Sequence, residues 1–187
     1  MHRLSQPSTR FSTQLRRPGR FHPIHGPDGG PIPWLYGAED DEGAICETIL
    51  HDTPFVPGAI VSEAVLADRA ISVIAPSRAL RLALLEGLGL RRLGIERRDL
   101  IETGPTDYPQ TALWAKALHD LDEARLDGLQ WRARPNDTRR SLLLFADRVA
   151  EGDLEEVEAP LPLAIGAGYA RVLRVTNTAR VTLVPVD

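Results

Sequence analysis

Three residues in the first quarter of the chain have types suited to chemistry: Arg20, Tyr36 and Glu47. Arg20 stands beside Phe21 in a turn-rich stretch. Tyr36 closes the short apolar run Trp34-Leu35-Tyr36, and Glu47 sits in the helical pattern that follows. A guanidinium takes phosphate oxygens through a planar fork of N–H donors. An arginine, a tyrosine and a carboxylate on three consecutive elements can act together on an anionic, sugar-bearing substrate.

The elements that must position these residues lie between Pro18 and Asp52. Pro23, Gly26, Pro27, Gly29, Gly30, Pro31 and Pro33 punctuate residues 22–33, which read as an extended surface loop able to act as a lid. Ile32 to Gly37 reads as a short strand. Asp40 or Asp41 can cap a helix over residues 41–51 by accepting its orphan N–H groups. Ile45, Cys46, Ile49 and Leu50 share one face of that helix. Glu47 falls at the edge of the face, which suits either a half-buried acid in a cleft or a solvated helix residue.

The rest of the chain predicts short strands broken by a few helices. His2-Arg3-Leu4 fits a first strand, with a polar loop over 5–19. Residues 71–75 and 80–85 read as strands, 87–93 as a helical turn and 94–107 as a charged loop. Leu113, Trp114, Ala117, Leu118 and Leu121 recur at helical spacing over residues 111–121. Leu129-Gln130-Trp131 begins a strand after the turn Asp127-Gly128, and Ser141 to Phe145 reads as a buried strand. Residues 151–159 are acidic and predict a solvated loop. Residues 170–175 and 181–186 predict a hairpin across Asn177. This irregular succession points to an α+β domain.

Composition narrows the function classes. The 187 residues are 43% hydrophobic, enough for one compact domain with its own core. The formal charge is −4 and Lys116 is the single lysine. That balance argues against a nucleic-acid binder, although the arginines from Arg3 to Arg20 could form a nucleic-acid arm or a transit peptide. They end at the Arg20-Phe21 motif, which favours a strand and loop leading into the site. No run of about 18 apolar residues predicts a membrane span, and the N-terminus lacks the apolar middle of a secretory signal. Cys46, the single cysteine, excludes an intrachain disulfide and reads as a small core residue. A reducing, cytoplasmic setting fits. His22, His25, His51 and His119 lack a metal-ligand spacing. Gly26, Gly29 and Gly30 do not lead from a strand into a helix, so they form no dinucleotide fingerprint.

Arg20-Phe21, Leu35-Tyr36 and Ala44-Ile45-Cys46-Glu47-Thr48 stand in the order and positions found in RES domains, and the chain resembles that family. Tyr108 to Leu118 is similar to its tyrosine-containing helix. Asp127-Gly128-Leu129-Gln130-Trp131 is similar to its Asp-Gly strand, and Leu142 to Phe145 to the strand after it. The resemblance spans residues 2–148. It implies a fold like that of the ADP-ribosyltransferases, with a split, mostly antiparallel sheet and flanking helices. It implies cleavage of NAD at the nicotinamide–ribose bond by phosphate or water, with no resident cofactor and with inorganic phosphate as a co-substrate in the first case.

In that chemistry the sugar becomes cationic, and Glu47 would stabilise it. Arg20 would hold phosphate, and Tyr36 would stack on nicotinamide or ribose. Phe21 and Arg3 would complete the substrate-binding set. Some members of the family are toxins, normally paired with an antitoxin that often carries a helix-turn-helix DNA-binding domain, and some modify proteins with ADP-ribose. The typifying serine, two positions after the aromatic residue of the Asp-Gly strand, is Ala133 here, and Ser141 lies too far along to be a simple substitute. A degenerate domain that binds a nucleotide or a partner without turnover is the competing expectation.

Overall fold

A computed structural model describes residues 1–185 apart from 55, 57, 122 and 124. The strands are β1 (His2–Arg3), β2 (Trp34–Ala38), β3 (Ile60–Ser62), β4 (Arg69–Ile71), β5 (Ile74–Pro76), β6 (Leu82–Leu84), β7 (Gly128–Arg132), β8 (Arg140–Phe145), β9 (Leu154–Glu156), β10 (Leu161–Pro162) and β11 (Thr182–Val184). The α-helices are α1 (Asp41–Cys46), α2 (Leu88–Leu93), α3 (Arg97–Leu100), α4 (Tyr108–His119) and α5 (Gly166–Thr178). Among the described residues no helix is long and apolar enough to cross a membrane.

The central sheet has the order β2-β8-β7-β6 and is antiparallel except where β6 joins β7. A second antiparallel sheet, β1-β4-β10, stands apart from it, with two ribbons, β5-β9 and the parallel β3-β11. The domain is therefore α+β, with several small sheets in place of one.

Alternation along the strands decides what faces the core. Trp34 pairs with Phe145, Tyr36 with Leu143 and Ala38 with Ser141, while Leu129 and Trp131 of β7 pair with Leu143 and Ser141. These residues share one sheet face. Trp34, Leu129, Trp131, Leu143 and Phe145 pack there with Phe21, Ile24, Ile32 and the α4 residues Ala115 and Leu118. Each such large apolar side chain contributes about 1.5–3 kcal/mol by leaving water. A separate cluster joins Ile45 and Cys46 of α1 to Val172 and Val175 of α5.

The Asp-Gly pair that opens β7 is structural. Asp127 accepts two hydrogen bonds from the Arg78 guanidinium, at 2.9 and 2.7 Å, and one from the Arg81 N–H at 2.7 Å. A Cβ on Gly128 would lie 2.0 Å from the Leu143 carbonyl oxygen, so only glycine lets the two backbones approach.

Several elements differ from expectation. The hairpin over residues 170–186 does not form: residues 170–175 lie inside α5, and Thr182–Val184 pairs with β3. Arg-Val-Leu-Arg-Val has strand-like composition, but Gly168, Val172 and Val175 fall on one helical stripe and bury it. Val186 lies outside the described residues. Residues 22–33 are anchored to the core at two points: Ile24 and Ile32 are buried and paired, the Ile32 N–H donating to the Ile24 carbonyl at 2.9 Å, while most residues between them are exposed. The first helix stops at Cys46 rather than residue 51. Asp40 caps it, its Oδ1 accepting from the Gly43 N–H at 2.8 Å. On α4 the buried stripe runs through Thr111, Ala112, Ala115 and Leu118, leaving Leu113 exposed. Small residues on that stripe let the helix approach the aromatic face of the sheet. Leu154–Glu156, expected in a solvated loop, pairs with β5.

Candidate functional site

Arg20, Tyr36 and Glu47 line one cavity of about 590 Å³ at the β2-β8-β7 face. His22, His51, Tyr108, Trp131 and Ser141 line it as well, with Arg16, Arg17 and Asp52 among the remaining charged residues of its wall.

Arg20 is held from its backbone. The Thr111 hydroxyl of α4 donates to the Arg20 carbonyl, and Arg20 is only 4% exposed. Its guanidinium carbon lies 5.9 Å from the Tyr108 ring centroid. Among the described residues Nε and Nη2, both buried, have no hydrogen-bond partner. Unpaired donors on a buried cation are costly, and an anion in the cavity would relieve that cost.

Tyr36 is oriented by His22, whose Nδ1 is 2.9 Å from the phenol oxygen. The other ring nitrogen, Nε2, is 3.3 Å from the Arg17 carbonyl. A carbonyl only accepts, so Nε2 carries the hydrogen. Burial holds the His22 pKa down to about 4, against a weaker opposing effect of that carbonyl, so the ring is neutral at pH 7. Nδ1 therefore accepts, and Tyr36 donates. Stacking on Trp34, with centroids 3.9 Å apart, fixes the His22 ring. A Cβ on Gly19 would lie 2.2 Å from the ring, so glycine there makes its position accessible. Burial also raises the Tyr36 pKa, keeping the phenol protonated although part of its surface is open.

Glu47 occupies the C-cap of α1. Its Oε1 accepts from the Arg134 backbone N–H at 2.8 Å, just beyond β7. Its Oε2 is 3.4 Å from His51 Nδ1, and His51 Nε2 is 3.1 Å from the Tyr108 hydroxyl. Burial pushes the Glu47 pKa up. The His51 and Arg134 contacts and the Arg20 charge together outweigh it and leave the pKa below the ordinary carboxylate value. Glu47 is thus anionic at neutral pH and lines the same cavity as a buried cation. That arrangement can bind a phosphate-bearing molecule while stabilising positive charge elsewhere on it.

Two expected binding residues lie elsewhere. Phe21 is fully buried, edge-on to Trp131 at 4.9 Å between centroids, and belongs to the core. Arg20 and Phe21 are the two central residues of the turn closed by Gly19 and His22, and of the two only Arg20 reaches the cavity wall. Arg3 is exposed, lies 3.4 Å from Asp68 and is not a cavity wall. Ala133 is buried and does not line the cavity, whereas Ser141 does. The antiparallel pairing of β7 with β8 sets Ser141 directly across from Trp131, bringing in a hydroxyl that distance along the chain seemed to exclude.

Sequence reasoning assigned no chemical role to His22, His51 or Tyr108. His51 follows Glu47 at i+4, a spacing that brings side chains together on a helical turn and was a usable signal. His22 was visible beside Arg20-Phe21, but its partner Tyr36 depends on the fold. Cys46 is buried as expected, and burial raises its pKa to about 11, so it remains a thiol.

The fold and the cavity define an α+β domain with a buried arginine and a charged glutamate in one wall. Over residues 1–165 the chain matches the model of the family described as RES domain. It belongs to that family. No curated protein and no solved structure matches it.

Proposed function

We propose that this RES domain consumes NAD, breaking the bond between nicotinamide and ribose. The observation that carries the reading is the pairing, in one cavity, of a buried guanidinium with unpartnered nitrogens and a carboxylate kept anionic. NAD offers a pyrophosphate to the first and a sugar that becomes cationic to the second.

The C1′–N bond breaks with its electron pair passing to the pyridine nitrogen, so nicotinamide leaves neutral and needs no strong general acid. Glu47 stabilises the oxocarbenium-like sugar. Arg20 holds pyrophosphate oxygens, and Tyr36, fixed by His22, packs against the ring or ribose. An oxygen of inorganic phosphate then bonds to the same ribose carbon, numbered C1″ in the product, giving ADP-ribose-1″-phosphate. With water as acceptor, the products are ADP-ribose and a proton.

Incubation of the pure protein with NAD, with and without phosphate, tests this. Nicotinamide release above a Glu47→Ala control supports it, and the second product identifies the acceptor. No release under either condition sinks it.

A second reading, binding without turnover, draws on Ala133, which lacks the hydroxyl typical of the family at that position. Calorimetric binding of NAD without nicotinamide release would favour it. A toxin role paired with a separate helix-turn-helix antitoxin is a further part of the proposal. Expression of this chain alone in a bacterium should then arrest growth and lower cellular NAD.

A further inference from the structure

Buried side-chain polar atoms without a hydrogen-bond partner are unevenly distributed among the described residues. Glu86 Oε2, Arg139 Nε and Arg148 Nε each have an oppositely charged atom within 2.9, 3.1 and 3.6 Å. His51 Nδ1 has the Glu47 carboxylate at 3.4 Å. Those left without such a neighbour are Arg20 Nε and Nη2, Trp131 Nε1 and Ser141 Oγ. All three residues line the same cavity.

Phosphate accounts for Arg20. Trp131 and Ser141 are neutral and ask for a different group. They are direct partners across β7 and β8, on the face that carries Tyr36. Side chains so paired start about 5 Å apart, close enough for one ligand group to reach both. An indole N–H only donates, while a serine hydroxyl donates and accepts. Their complement is a carbonyl oxygen that accepts, with an adjacent N–H to give. An anion fits poorly at this pair, because neither residue supplies charge. Tyr36 and Trp131 meet edge to face at 5.9 Å between centroids, an aromatic corner suited to a flat ring.

We infer that Trp131 and Ser141 form the subsite for the carboxamide of the substrate's pyridine ring. This rests on the NAD reading and adds to it the recognition of the leaving group. An unpaired buried hydroxyl and indole N–H are costly, and the carboxamide satisfies both.

The test compares wild type with Ser141→Ala on three dinucleotides. NAD carries the carboxamide, the 3-acetylpyridine analogue keeps its carbonyl, and the unsubstituted pyridine analogue has neither. Each substrate is its own reference, so differences in leaving-group chemistry cancel. Loss of the Ser141 hydrogen bond should lower kcat/KM about tenfold for NAD, and for the acetyl analogue only to the extent that the hydroxyl donates to the carbonyl rather than accepting from the amide N–H. The pyridine analogue should stay within about twofold. The ligand-free variant should melt at the wild-type temperature or above, because an orphan hydroxyl has been removed. Ser141→Cys, which keeps the shape and donates weakly, should show the same substrate pattern in milder form. An equal fall on all three substrates, or no fall on any, overturns the subsite while leaving NAD cleavage standing. Absence of wild-type nicotinamide release overturns both.

Discussion

The Tyr36 hydroxyl donates to Nδ1 of His22 across 2.9 Å, and the same imidazole lies flat on Trp34. A cavity tyrosine is thus fixed by a histidine that must stay neutral to accept from it. Protonation of Nδ1 would remove the acceptor, which couples this part of the cavity to pH.

Stability should therefore fall as the solution is acidified. The folded pKa of His22, about 4, lies below its ordinary value of 6.5. Between these values the unfolded chain binds the extra proton, so stability rises with pH across the window. The contribution is fully present above pH 6.5 and is lost as pH falls toward 4, by roughly 3 kcal/mol at most. Denaturant titrations at a series of pH values should show this slope for wild type. His22→Gln should lack the His22 part of it. An identical slope in the variant would mean that other groups cause it.

Glu47→Gln keeps an acceptor for the Arg134 N–H but removes the negative charge. Turnover of NAD should drop about 10²-fold, the usual size of one sheltered electrostatic contribution. The Kd for NAD should change much less, because the charge matters most when the sugar becomes cationic. Single-turnover rates together with calorimetry separate the two effects. Wild-type turnover in this variant would remove Glu47 from the reaction.

Arg20→Ala should behave differently, since phosphate contacts exist before the reaction begins. A charge-assisted hydrogen bond contributes about 1.5–3 kcal/mol, so NAD binding should weaken about 10- to 100-fold. Millimolar phosphate or sulfate should raise the melting temperature of wild type more than that of the variant, a readout independent of catalysis. Arg20→Lys should restore little, because an ammonium cannot reproduce the guanidinium fork.

Asp127→Ala should damage the fold rather than the chemistry. Asp127 is buried, accepts from Arg78 and Arg81, and lies outside the cavity wall. The loss should be about 1–3 kcal/mol of stability, the cost of leaving the Arg81 N–H without its acceptor, with kcat little changed at temperatures where the variant is folded. A large fall in kcat without a fall in stability would contradict the structural assignment.

The sequence by itself determined the parts that depend on near neighbours. Asp40 caps the first helix because its side chain reaches an N–H three residues on. Ile45, Cys46, Ile49 and Leu50 are buried because their spacing puts them on one side of a turning chain. Arg20, Tyr36 and Glu47 were legible as candidates because their types, order and spacing match a family pattern, and they do meet in one cavity. Local composition misled at residues 170–175, where β-branched residues suggested a strand. Packing of a helical stripe against α1 and its neighbours is what selects α5.

Tertiary structure alone decided which side chains share the cavity. Phe21 and Arg3 look as available as Arg20 in the sequence, but one fills the core and the other lies beside Asp68 at the surface. Ser141 seemed too distant, yet the register of β7 and β8 makes it the partner of Trp131. Glu47 receives its hydrogen bond from the backbone of Arg134, far along the chain. The physical reason is common to these cases. Side-chain type and local periodicity act over a few residues, whereas burial, strand register and desolvation are properties of segments that meet only when the chain has folded.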